Sequence, residues 1–281
     1  MADNKLKKLI ELHQEAANCG VCFKKYKNLK NNIVVKGAQP RSIGENYFSQ
    51  DMRVCLILIN PGSGDTKSDG GWGDYLTPFK EAETLKEREN TWDEVQNFIK
   101  REEPKWGMIK GNWEKLYYQS LGLSKSEIAM VNIMMCAEDD NNYKSEPTLN
   151  ECFFEQKKSQ KIIKALKPDK IVLSGGKPIE FFCKDSFSKI SLTELRKRRD
   201  QRMDRILESQ GEDGLKNTDF QKIPKFQLRD NIKNEFPDSD FYWIGHYAAR
   251  NNTLAKHFDA AVEDAKIFSN TSLGIITSDE N

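Results

Sequence analysis

The chain has 281 residues, of which 37% are hydrophobic and 31% charged, and its formal net charge is +1. That length suits one large domain or two small ones, and the composition is that of a globular protein with a polar surface. A near-zero net charge excludes a global basic field as the means of finding a nucleic acid, although one face can still carry a basic patch.

Residues 4–17 carry Leu6, Leu9, Ile10 and Leu12 at helical spacing and predict a first helix. The same stretch lacks the apolar core of a signal peptide, and no apolar run elsewhere approaches the length of a membrane span. The expectation is a cytoplasmic protein without a membrane partner. In that reducing compartment the six cysteines are not expected to pair as disulfides.

Residues 53–59, rich in Val, Ile and Leu, predict a strand that runs into Asn60 and a Pro-Gly turn, LILINPGSGD (56–65). Thr91 with Glu94 has the spacing of a capping box and predicts a helix through about Lys100. A helix is expected over 112–121, ended by Gly122. Residues 128–135 form a second apolar strand, with Asn132 early in it. Thr148 and Glu151 make another capping box before a helix to about Leu166, which Pro168 ends. KIVLS (170–174) is a third strand and a short helix follows Pro178. FYWIG (241–245) is a fourth strand and 255–268 a last helix.

Strands alternating with helices predict an α/β fold, a central, mainly parallel four-stranded sheet covered on both faces. The chain reads as a single domain over 1–281, with charge-rich additions at 65–111 and 184–238. Ligands of open parallel sheets bind at the carboxyl ends of strands. Asn60, the Ser174-Gly175-Gly176 turn and Gly245-His246 stand at such ends, and Asn132 adds a fourth polar group.

Cys19 and Cys22 form a C-x-x-C after the first helix, Cys136 ends the second strand, and Cys152 lies in the first turn of the next helix. Four thiolates so arranged suit a metal centre, zinc or an iron–sulfur cluster alike. Buried apolar cysteines are the plainer reading. Cys55 and Cys183 have no such company.

Taken together the motifs resemble the iron–sulfur branch of the uracil-DNA glycosylase superfamily. The matching segments are NCGVC (18–22), INPGSGD (59–65), VNIMMC (131–136), Cys152 sixteen residues after Cys136, LKPDKIVLSGG (166–176) and GHYAARNN (245–252). The resemblance implies the three-layer α/β/α fold of that superfamily. It also implies a structural [4Fe–4S] cluster on Cys19, Cys22, Cys136 and Cys152, with zinc as the alternative occupant. Two positions depart from the pattern. Asn60 stands in a first motif where the branch has Glu-Ala-Pro-Gly, and Tyr247 replaces the proline of the histidine motif.

Base excision breaks an N-glycosidic bond, so the sugar becomes cation-like while the base leaves with negative charge. The base must first leave the stack. Asn60, held extended before proline, is expected to orient the attacking water, and Asp65 to supply negative charge. A turn cap is the structural alternative for the amide. By the resemblance His246 donates to the base carbonyl and Asn132 reads the pyrimidine edge with a donor and an acceptor. GGWGDYLTPF (70–79) offers Trp72 and Tyr75, and also Phe79, as stacking rings, with core packing the alternative. The backbone of Ser174, Gly175 and Gly176 can approach phosphate, while Arg250 and Asn251 follow His246 toward the groove. LRKRRDQRMDR (195–205) is either a further DNA contact or a solvated helix face.

The resulting expectation is a monomeric DNA glycosylase acting on uracil or a modified pyrimidine and leaving an abasic site, in DNA repair or in antiviral defence against phage. The alternatives are a DNA-binding or damage-sensing protein without catalysis, and a zinc-stapled interaction protein.

Overall fold

The computed structural model describes residues 2–21, 38–59, 72–105, 111–136, 146–246 and 254–274. It is an α/β protein whose five strands are ordered β2-β1-β3-β5-β4 in a mainly parallel sheet. The strands are β1 (Val54–Leu58), β2 (Ile128–Asn132), β3 (Lys170–Ser174), β4 (Lys222–Ile223) and β5 (Asp240–Ile244). Sequence predicts four strands. The extra one, β4, pairs antiparallel to β5 with Ile223 opposite Phe241. Two residues are too few to show alternation, so the strand is invisible in the pattern. No helix among the described residues is long and apolar enough to cross a membrane.

Two compact units divide the chain: Met1–Arg101 with Ala129–Pro168, and Glu102–Ile128 with Asp169–Asn281. In the first, α1 (Ala2–Ala17) buries Leu9, Ile10, His13 and Ala16. α1 packs on α6 (Lys158–Leu166), where Glu15 is bridged by Lys158 and Lys161. β1 reads VCLIL and is buried throughout, the mark of a strand covered on both faces. α2 (Trp72–Glu81) turns Trp72, Leu76 and Phe79 inward. α3 (Leu85–Glu102) buries Trp92, Val95, Gln96 and Ile99, one stripe at helical period. Residues 38–43 run beside β2. Ile43 bridges Ala129, Met130 N–H donates to Ser42, and Gln39 N–H donates to Met135 at 2.7 Å.

Helix starts correct the reading of the capping boxes. Thr84 and Glu87 close the box that opens α3: Glu87 N–H donates to Thr84 Oγ1 at 3.2 Å and Thr84 N–H to the Glu87 carboxylate at 2.9 Å. Thr91 lies inside the helix, its hydroxyl donating back to Glu87 O at 2.7 Å. Both threonines have a glutamate three residues on, and the signature alone does not choose between them. Thr148 is likewise inside a helix, α5 (Glu146–Asn150), which widens into a π turn over Glu151–Glu155. Lys157, at φ 53°, separates that turn from α6.

In the second unit β3 and β5 are parallel in the register Lys170↔Asp240 to Ser174↔Ile244. α4 (Asn112–Glu114) widens into a π turn over Lys115–Gln119. α7 (Gly176–Phe182) follows β3 directly. The 184–238 addition holds the longest helix, α8 (Leu192–Lys216), capped by Ser191 and interrupted at Gly211. α9 (Leu254–Phe268) packs on β5, and Ser269 beyond it donates to Leu121 O at 2.8 Å.

Candidate functional site

Asn132 is the last residue of β2, not an early one, because the strand is shorter than its apolar run suggests. Beyond it Ile133 and Met134 N–H groups donate to Leu58 and Ile59 carbonyls, each at 2.9 Å. The Asn132 side chain is 1% exposed, and among the described residues neither its Oδ1 nor its Nδ2 has a hydrogen-bond partner. A buried polar group left unsatisfied costs about 1–3 kcal/mol.

Three of the cysteines singled out by spacing come together in the first unit. Cys19, at the end of α1, Cys136, just past β2, and Cys152, in the π turn after α5, line one pocket with Ala16, Ala38 and Met134. Thr148, Gln156 and Lys158 complete its lining. Burial pushes the Cys152 thiol up, while a hydrogen bond from Met135 N–H and the nearby Ser159 hydroxyl act the other way. Ser159 in turn donates to Ile133 O at 2.7 Å. Cys22 lies outside the described residues. Among the described residues no three His, Cys, Asp or Glu side chains are placed to hold a single metal ion. Cys55 and Cys183 are buried apart from this pocket, with thiols pushed up by burial, Cys183 to about 12.

Trp72 and Tyr75 are brought into an aromatic cluster. Trp72 is 3% exposed and meets Phe98 edge-on at 4.9 Å. Tyr75 stacks on Phe98 at 4.4 Å, and its hydroxyl accepts from Arg101 at 3.0 Å. Trp72 thus takes the packing alternative, and one face of Tyr75 is covered.

The second unit gathers the ends of β3 and β5. The Ser174 hydroxyl is buried, donates to Gly245 O at 3.1 Å and contacts Tyr117 Oη at 2.8 Å. Gly175 N–H is spent on Ile244 O at 2.9 Å. Gly175 has φ +94°, and a Cβ there would stand 3.0 Å from His246 Cβ. Only glycine fits both the torsion and the approach. His246 itself is half-buried. Gly176 is the first residue of α7. Of the backbone N–H groups expected to face phosphate here, that of Gly175 is therefore committed to the protein.

The basic run on α8 is neither wholly solvated nor a free DNA contact. Arg196 and Arg199 turn inward to Asp264, which is fully buried on α9. Asp264 accepts from Gly245 N–H at 2.9 Å. Sequence reasoning missed this aspartate, because nothing in AVEDAK marks one acid as internal. It also missed Gln39, a second buried carboxamide with no partner among the described residues. Gln39 precedes Pro40 as Asn60 precedes Pro61, so the same amide-before-proline signal was present in the chain.

Asn60, Asp65, Arg250 and Asn251 lie outside the described residues. No family model matches the chain, and no curated protein is significantly similar to it.

Proposed function

We propose that this protein is a DNA base glycosylase with the three-layer fold of the uracil-DNA glycosylases. It would hydrolyse the N-glycosidic bond of uracil or of a modified pyrimidine and leave an abasic site. The observation that carries this reading is the Asn132 carboxamide, buried at the end of a strand and without a hydrogen-bond partner among the described residues. A pyrimidine edge offers an acceptor and a donor to such a group. A base bound there would satisfy both groups.

His246 is held at the end of β5 against Gly175 and donates to the base carbonyl oxygen as negative charge grows on it. Asn60 orients the water. The C1′–N bond breaks with its electron pair on the base, the water oxygen bonds to C1′, and the Asp65 carboxylate takes the released proton. Arg250 and Asn251 contact the opened duplex. No lysine nucleophile is required, so no strand cleavage accompanies excision.

Cys19, Cys22, Cys136 and Cys152 would hold the [4Fe–4S] cluster. Thiolates around one pocket, with a hydrogen bond to one sulfur, are a donor set it accepts. The cluster supplies cross-linking between α1, the end of β2 and the π turn, not electron transfer. Zinc, held by the same four thiolates, would be the alternative occupant. Free thiols and a cluster both suit a cytoplasmic protein.

Excision is tested by incubating the purified protein with a panel of DNAs carrying uracil, thymine mismatches and modified pyrimidines, phage genomic DNA included. Released base is read by chromatography and abasic sites by alkali cleavage. Base release confined to modified phage DNA assigns antiviral defence, and release of uracil assigns repair. Tight binding without abasic sites identifies a damage sensor and overturns the catalytic reading.

A further inference from the structure

We propose that Asp264 is the positioning residue for His246. This rests on the proposed role of His246 at the scissile base. The last strand pairing of β5 is Ile244 with Ser174, and the next peptide, Gly245, leaves the ladder. Its two polar groups are nevertheless both held by side chains. The carbonyl accepts from Ser174 Oγ at 3.1 Å, and the N–H donates to Asp264 Oδ2 at 2.9 Å. Both backbone polar groups of Gly245, the residue that leads into His246, are thus clamped by side chains.

The clamp is itself braced. Arg196 Nε lies 3.1 Å from both Asp264 oxygens and Arg196 Nη2 lies 2.7 Å from Oδ2. Arg199 Nη1 donates to Oδ1 at 2.6 Å and its guanidinium sits 5.7 Å from the Trp243 ring centre. Arg199 also reaches Asp200 at 2.9 Å. Gly245 has no room for a side chain: a Cβ would lie 2.6 Å from both Ala261 Cβ and Arg196 Nη2. Gly175 also approaches His246, since a Cβ there would lie 3.0 Å from His246 Cβ.

Stability alone does not call for this arrangement. Taking ions out of water costs several kcal/mol each, and apolar residues of like volume often serve as well or better. What an apolar replacement cannot do is accept the Gly245 N–H at the point where the ladder stops. The buried charges are explained by the direction they impose on the next residue. Misplacing a reacting contact by about 1 Å can cost about 100-fold in rate.

The test replaces the charges by apolar residues together, Asp264→Leu with Arg196→Met and Arg199→Met, in the full chain. Melting temperature, kcat and KM for base release, and the imidazole 15N signals of His246 are compared with the parent. His13 and His257 are the only other histidines and serve as internal controls. The expected result is a folded protein with kcat lowered about 10- to 100-fold and KM nearly unchanged, and with His246 signals shifted and broadened. A folded triple variant with parental kcat and parental His246 signals overturns the proposal. Should the triple variant not fold, the parent decides. Gly245 N–H must exchange as slowly as the amides of β5, and exchange at loop rates overturns the clamp. If the parent releases no base from any DNA, the reading of the site fails, and the His246 signals alone decide the positioning.

Discussion

The imidazole of His13 lies 4.9 Å from the indole of Trp92, tilted by 38°, in the interior of the first unit. Among the described residues neither ring nitrogen has a hydrogen-bond partner. Burial lowers its pKa from 6.5 to about 3. The folded protein therefore keeps His13 neutral at pH values where the unfolded chain protonates it. Its contribution is intact above pH 6.5 and is lost as pH falls from there toward 3. Linkage gives a loss of about 2 kcal/mol between pH 7 and 5. His13→Phe should flatten the stability profile in that window, as measured by urea unfolding at each pH. Glu15, lowered chiefly by its hydrogen bond from Lys158, acts below 4.5, outside that window.

Thr84→Ala removes the hydroxyl that caps α3 and should cost about 0.5–2 kcal/mol. Thr91→Ala, in the helix interior, should change stability much less, since alanine is the better helix former there. Chemical denaturation of the two variants side by side locates the helix start. Equal losses, or a larger loss at Thr91, would return the cap to the position the sequence first suggests.

Cysteine substitutions should divide into two sets. Cys19→Ser, Cys136→Ser and Cys152→Ser should each bleach the brown colour and lower iron content in anaerobically purified protein. Cys55→Ala and Cys183→Ala, buried apart from the pocket, should leave the visible spectrum intact and cost only packing energy. A colourless parent with one equivalent of zinc assigns the alternative metal.

How much of this was legible in the chain follows from the physics of each element. VCLIL and KIVLS are read easily, because strands buried on both faces are continuous apolar runs. β4 is too short to carry a period. The π turns at Lys115–Gln119 and Glu151–Glu155 keep helical composition, so sequence gives their helices but not their widening. Of the four cysteines that the spacing groups together, Cys19, Cys136 and Cys152 line one pocket and Cys22 lies outside the described residues. Asn132 was picked by resemblance, yet its place as the last residue of β2 and its lack of a partner among the described residues appear only in three dimensions. The Asp264 clamp was out of reach, since it joins α8, α9 and β5 through side chains far apart in the chain. The same is true of the inward turn of Arg196 and Arg199, which a run of charge reads as solvated.

The carboxamide of Asn132 is tested most directly by Asn132→Leu, with melting temperature and base release measured on one preparation. Leucine fills a similar volume and removes two unsatisfied atoms, so the variant should be more stable by about 1–3 kcal/mol and release no base. A variant that melts lower than the parent, or that still releases base at the parental rate, would contradict a ligand-reading role for this residue.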